Sequence, residues 1–172
     1  MIGFIIQYLR GQTIAQLRHR GASIGNNVHF HSATIDKETA CLIEIGNDVS
    51  ISNSIVLAHD ASTKKELGYT KALKTKIGSK VFIGAGSVVC PGSSIGDRVI
   101  VGAGSVIRGQ IPGNSVVIGN PAKVICSYDE YMKKNRDKMN QNIFEKEINN
   151  MTLKEKDLVL KTIDEKTMVF ER

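Results

Sequence analysis

From Ile77 to Ile107 every sixth residue is a branched aliphatic: Ile77, Ile83, Val89, Ile95, Val101 and Ile107. The following residue is glycine in four of these six units (Gly78, Gly84, Gly96, Gly102). Four places on, the residue is small or β-branched throughout (Val81, Ser87, Ser93, Val99, Ser105, Ile111). A period of six is neither the 3.6 of an α-helix nor the alternation of a lone strand, and hexapeptide repeats mark a parallel β-helix. The fold expected is therefore all-β, a coil of stacked short strands. Position-0 aliphatics and +4 small residues point inward, and glycine at +1 supplies the corner angles. Such a narrow core needs little aromatic bulk, in keeping with 5% aromatics and no tryptophan.

The frame can be followed upstream. Ile24-Gly25-Asn26-Asn27-Val28-His29 is a good hexad, Phe30 to Ile35 a degenerate one, and the frame then slips by three residues across 36–44. It resumes at Ile45, Ile51 and Leu57, and breaks again because Leu57 to Ile77 is 20 residues, two more than three hexads. Three segments follow: an N-terminal helical segment 1–22, a β-helix 23–126 with an excursion over 60–76, and a C-terminal helical extension 127–172. Apolar residues at Phe4, Ile5, Tyr8, Leu9, Ile14 and Leu17 predict a short amphipathic helix within 2–20. The extension has no glycine, and helices are expected over about 128–148 and 152–166, the second opened by the capping-box spacing of Thr152 and Glu155.

The net charge of +6 sits entirely with the repeats, since residues 127–172 carry ten basic and ten acidic side chains. A basic repeat domain suits an anionic small ligand. Nucleic acid is not expected, because no recognition motif and no aromatic interleaving accompany the charge. Three cysteines (Cys41, Cys90, Cys126) without a C-x-x-C pair suggest neither a disulfide framework nor a zinc ribbon, and fit a reduced, cytoplasmic setting. No segment reaches the roughly 20 apolar residues of a membrane span. Ile2 to Leu9 lacks the flanks of a signal peptide; its character would permit peripheral membrane contact, which is not expected.

These hexads, the loop Leu57-Ala58-His59-Asp60-Ala61-Ser62-Thr63 and the later Gly119-Asn120-Pro121-Ala122-Lys123-Val124-Ile125 resemble the hexapeptide-repeat acyltransferases. The likeness is to the galactoside, maltose and polysaccharide O-acetyltransferase branch and covers about residues 24–126. It implies a left-handed parallel β-helix, a homotrimer, and acetyl-CoA as acyl donor in a groove between subunits. It also implies that His59 is the essential histidine, with the excursion shaping the acceptor pocket.

Imidazole suits the task. Its ordinary pKa keeps a neutral, proton-accepting fraction near pH 7, and acyl transfer to a hydroxyl needs a base as attack occurs. The oxyanion would need a donor such as a backbone N–H. Either Asp60 or a backbone carbonyl would orient His59. By the resemblance, Ala85 and Ala103 meet the pantetheine arm and Lys123 the nucleotide phosphates. Arg108 stands in for a lysine displaced by one position. Asn53 and Ser54 occupy the place of an acceptor-binding asparagine, and Asp60 joins them as a candidate substrate contact. His29 and His31 are secondary acceptor-side candidates, and His19 reads as solvated. No metal is expected: the H-x₄-H pair of β-helical carbonic anhydrases is missing, with Lys64 and Ser54 flanking His59 at that spacing.

The activity expected is transfer of acetyl from acetyl-CoA directly to a hydroxyl of a sugar or polysaccharide precursor, with His59 as base. The rivals are transfer to an amine, a serine acceptor, and a catalytically silent β-helical scaffold.

Overall fold

In the computed structural model of the chain, which describes residues 13–139, 143–144, 148–162 and 170–171, the hexads form strands that wind round three faces. The first face stacks β1 (Ser23–Ile24), β4 (Ile43–Ile45), β9 (Thr75–Ile77), β12 (Ser94–Ile95) and β15 (Gln110–Ile111). The second stacks β2 (Val28–His31), β5 (Val49–Ser52), β10 (Phe82–Ile83), β13 (Val99–Val101) and β16 (Ser115–Gly119). The third stacks β3 (Thr34–Ile35), β6 (Ile55–Val56), β11 (Val88–Val89) and β14 (Val106–Ile107). Pairing between successive coils is parallel, as in Ile83 beside Ile51 and Val101. A final strand, β17 (Ala122–Ser127), turns back antiparallel along β16 and pairs the edge that the last coil leaves open.

The position-0 aliphatics from Ile77 to Ile107 are all buried, as are Val81, Ser87, Ser93, Val99 and Ser105 at +4. The serines survive there because each hydroxyl finds a backbone acceptor: Ser87 Oγ donates to Gly84 O at 2.7 Å and Ser105 Oγ to Gly102 O at 2.6 Å.

The structure corrects the frame in two places. Val56, not Leu57, carries the third-face stack, paired with Ile35 below and Val89 above and fully buried. The corner from Ile51 to Val56 takes five residues where Ile83 to Val89 takes six, with Asn53 at φ 37° making the tighter turn. That one-residue slip turns Leu57 outward. Ile111, read as a +4 residue, is instead the stacked aliphatic of the last coil, paired with Ile95. Replacing Ile83 with alanine is expected to cost about 2–5 kcal/mol, and Leu57 with alanine about 1 kcal/mol or less. Equilibrium chemical denaturation of the two variants checks this, and equal losses would contradict the register.

Glycine at +1 also has a different reason from the one expected. A Cβ on Gly46 would lie 2.5 Å from Ser79 Oγ and 2.7 Å from the carbonyl carbon of Gly78. The constraint is close approach of stacked corners, and the left-handed backbone falls two residues later, at Asn27, Asp48, Lys80, Arg98 and Asn114. A side-chain staircase ties the same corner together: Asn26 N–H donates to Asn47 Oδ1 (2.8 Å), Asn47 N–H to Ser79 Oγ (3.1 Å) and Ser79 N–H to Asp97 Oδ1 (2.7 Å).

The chain divides into two compact units, Met1–Tyr128 and Asp129–Arg172. In the first, helix α1 (Ile14–His19) starts after an extended Thr13 that forms a capping box with Gln16. A helix continuous through 13 is therefore not formed, and residues 1–12, with Phe4, Ile5, Tyr8 and Leu9, lie outside the described residues. Leu17 is buried, and Arg18 donates to the carbonyls of Ile24 and Gly25, tying α1 to the bottom coil. In the excursion lies one helical turn, α2 (Lys64–Leu67).

Helix α3 (Tyr128–Met139) leads into the second unit. It does not run on to the expected 148, since 143–144 are extended. Helix α4 (Leu153–Thr162) has the predicted box, with Glu155 Oε2 accepting from Thr152 N–H at 2.6 Å. Residues 163–166 lie outside the described residues. Among the described residues no helix is long and apolar enough to cross a membrane.

Candidate active site

Both interruptions of the repeat fall at one corner, between the third and first faces. Twenty-one residues separate Val56 from Ile77, and ten separate Ile35 from Ile45, where six separate Val89 from Ile95. The lower interruption begins at Asp36 and the upper at Leu57, so their first residues lie one above the other.

The upper excursion leaves the coil as a hairpin. Strand β7 (His59–Asp60) pairs antiparallel with β8 (Lys71–Ala72), and Leu73 N–H returns to Ala58 O at 2.8 Å. Thr75 Oγ1 donates to Leu57 O and accepts from Gly92 N–H, which fixes the base of the hairpin to the next coil. Asp60 is engaged within the hairpin: its carboxylate meets Lys71 Nζ at 2.6 Å and accepts from Ser62 N–H. The Lys71 contact, first, and the Ser62 contacts hold the Asp60 carboxyl well below the usual range.

The orienting group for His59 is Asp36. His59 Nδ1 lies 2.5 Å from Asp36 Oδ2, and the Asp36 side chain is 1% exposed against 32% for His59. The same carboxylate accepts from Thr39 Oγ1 (2.7 Å), Ala58 N–H (3.1 Å) and Thr39 N–H (3.4 Å). Burial, the largest single influence, raises the Asp36 pKa. The hydrogen bonds from Thr39, Ala58 and His59 together outweigh it, so the carboxyl lies below its ordinary value. An ionised Asp36 only accepts, so Nδ1 of a neutral His59 carries the proton and Nε2 is the acceptor. Nε2 has no hydrogen bond among the described residues.

His59 opens on a cleft of about 1000 Å³. Leu57, Leu73, Val88, Cys90 and Val106 give it apolar walls, while Lys71 and Arg108 supply cations. Leu57 is there because of the frame slip that turned it out of the core.

The cleft gathers His59, Asp60 and Arg108, but not the other expected residues. Ala85 and Ala103 are exposed on the corner between the second and third faces, in one column with Asn53: Gly86 N–H donates to Asn53 O and Gly104 N–H to Ala85 O. Lys123 is exposed on β17. Ser54 does not suit the acceptor role proposed for it. It is 2% exposed, and its hydroxyl donates to the carbonyls of Ser52 and Gly84 inside the coil, replacing Ser87 in that shorter corner. His29 and His31 stack at 6.2 Å along β2, outside the cleft lining, and His19 ends α1. Among the described residues no group of three or more His, Cys, Asp or Glu is placed to hold a metal.

Residues 74–109 match the family described as bacterial transferase hexapeptide (six repeats). The chain is 41% identical over 128 residues to Protein CapG of Staphylococcus aureus, covering 69% of this chain and 73% of that one. It is also similar to serine acetyltransferase 1, chloroplastic, of Arabidopsis thaliana, at 36% identity over 127 residues, 73% of this chain but 38% of that longer protein. Among solved structures, a galactoside acetyltransferase in complex with coenzyme A shares the fold, with a TM-score of 0.52 at 23% identity over 68% of this chain and 70% of that one.

Proposed function

Since the chain belongs to the hexapeptide-repeat transferase family, we propose that it transfers an acetyl group from acetyl-CoA to a hydroxyl of a sugar or polysaccharide precursor. The observation that carries this reading is the His59–Asp36 pair opening on the cleft. The family's finer features belong to the same proposal: left-handed winding, a homotrimer, and work in the cytoplasm.

The residues present fit the donor. At the corner of Ala85 and Ala103 the backbone is exposed, and Gly104, at φ 69°, has open space where a Cβ would stand. A bare backbone edge of this kind offers N–H and C=O groups to an amide-rich arm such as pantetheine. In a trimer, this corner on one subunit would face the His59 cleft of the next, with Lys123 toward the nucleotide phosphates. Exposed apolar side chains on the outer faces, Ile55 at 42% and Phe82 at 46%, suit burial between copies.

Acetyl-CoA, when bound, supplies an acetyl carbon made electrophilic by its thioester. His59 Nε2 accepts the acceptor hydroxyl's proton as attack proceeds, and Asp36 stabilises the imidazolium that forms. His59 then returns the proton to the departing thiol. The apolar walls of Leu57, Leu73, Val88 and Val106 limit water at the ester-forming step. Cys90 lines the same cleft but no base contacts it among the described residues, so transfer is direct, with no acyl-enzyme.

The test is mass-spectrometric detection of products from acetyl-CoA and a panel of sugars, amino sugars, sugar nucleotides and serine. A base-labile ester on a sugar is expected. A base-stable amide would favour the N-acetyl reading, O-acetylserine the serine reading, and absence of acetyl-CoA binding the scaffold.

A further inference from the structure

The lower interruption of the repeat supplies more than Asp36. The step from Ile35 to Ile45 is four residues longer than an ordinary hexad. Residues 36–39 turn outward, and Ala40, 1% exposed, re-enters the core. Lys37 and Glu38 are exposed and pair with each other at 3.8 Å. Thr39 opens the short 3₁₀ turn Ala40–Leu42, and Leu42 N–H returns to Thr39 O at 2.9 Å.

A threonine that opens a helical turn ordinarily bends its hydroxyl back onto the N–H groups that follow. Thr39 makes no such cap bond among the described residues. Its Oγ1 donates instead to Asp36 Oδ2 at 2.7 Å, and its N–H to Asp36 Oδ1 at 3.4 Å. The torsion that turns a carboxylate plane is soft, so contacts have to set it. Thr39 holds both oxygens, whereas Ala58 N–H and His59 Nδ1 meet Oδ2 only. Those two donors lie where the chain leaves for the hairpin; Thr39 grips the carboxylate from the coil below.

We infer that Thr39 is a positioning residue for His59. Its hydroxyl fixes the plane of the Asp36 carboxylate, so that Oδ2 holds the Nδ1 proton and Nε2 stays an acceptor in the cleft. This rests on the acetyltransferase reading above and gives the second interruption of the repeat a part in it.

Thr39→Val keeps the β-branched shape and Thr39→Ala does not, but both remove the hydroxyl; Thr39→Ser retains it. In the first two, kcat for acetyl transfer is expected to fall roughly ten- to hundredfold, the worth of one hydrogen bond to a charged group. KM for acetyl-CoA should move less than about twofold, and Thr39→Ser should stay within about threefold of wild type in kcat. On a His59→Ala background, Thr39→Val should change the rate less than about twofold, because the base it acts through is gone. A second readout needs no reaction: ¹⁵N NMR of the His59 ring in the ligand-free protein, at a pH where the ring is neutral. Wild type and Thr39→Ser are expected to hold the proton on Nδ1, and the variants without the hydroxyl to share it between both nitrogens. An unchanged kcat or an unchanged tautomer in folded Thr39→Val and Thr39→Ala overturns the inference. Equal losses with and without His59 also overturn it, by leaving Thr39 a purely structural role. If wild type transfers no acetyl group, the acetyltransferase reading falls, and the NMR comparison still decides whether Thr39 sets the His59 tautomer.

Discussion

Replacing His59 with alanine is expected to slow acetyl transfer about 10²–10⁴-fold, the range usual for loss of a well-placed general base. Binding of acetyl-CoA should stay within a few fold, because the wall residues and the corner at Ala85 and Ala103 are untouched. The fold should also hold. His59 is 32% exposed and its one partner among the described residues is Asp36, so no core packing is lost. Steady-state rates and calorimetry on the same preparation check both halves. Undiminished activity would remove His59 as the base, whatever the fate of binding.

Asp36→Asn is expected to come close to that loss, about 10²–10⁴-fold in kcat, with little change in KM for acetyl-CoA. An asparagine keeps the shape of the side chain but brings an amide that donates. Asp36 Oδ2 now accepts from Ala58 N–H, Thr39 Oγ1 and His59. An amide nitrogen in that place would either strand one of these donors or force the His59 proton onto Nε2, where a base is needed. Stability should fall by about 1–3 kcal/mol, the usual cost of an unmet buried hydrogen bond. Because the two residues act as a unit, Asp36→Asn on a His59→Ala background should change the rate little. Additive losses would mean that Asp36 serves the fold alone.

The same carboxylate sets a dependence on acid. Its folded pKa lies below the ordinary aspartate value of 3.8, so the unfolded chain takes up the proton first as pH drops. The stability that Asp36 contributes is complete above that value and is lost as pH falls through the lower folded one. Asp36→Asn should remove this part of the acid sensitivity.

What could be read from the chain followed from how regular it is. Between Ile77 and Ile107 each side chain's direction repeats, and burial there follows the hexads. Upstream the pattern fails where a corner is shortened. Counting in sixes from Ile51 puts Leu57 inside, although the five-residue turn through Asn53 buries Val56. Ser54, named as an acceptor contact by resemblance, fills the place of a core serine in that shortened corner.

His59 was legible because it stands at a break in the frame. Asp36 was not, because a lone aspartate in a degenerate coil carries no local signal. Its clue was the earlier break: two interruptions at one corner of a coil must lie one above the other. Asp60, the neighbour in sequence, was the more obvious partner for His59. Adjacent strand residues point opposite ways, and Asp60 turned to Lys71 across the hairpin instead. Arg108 was placed near a ligand by resemblance, but its height above Leu57 needs the register of three coils.

The most direct measurement is a crystal structure with coenzyme A bound. The account predicts the thiol sulfur within roughly 3–5 Å of His59 Nε2, close to attack geometry, in the cleft lined by Leu57, Leu73 and Arg108, with Asp36 still paired to Nδ1. A thiol held at another corner of the coil, with His59 turned to solvent, would contradict it.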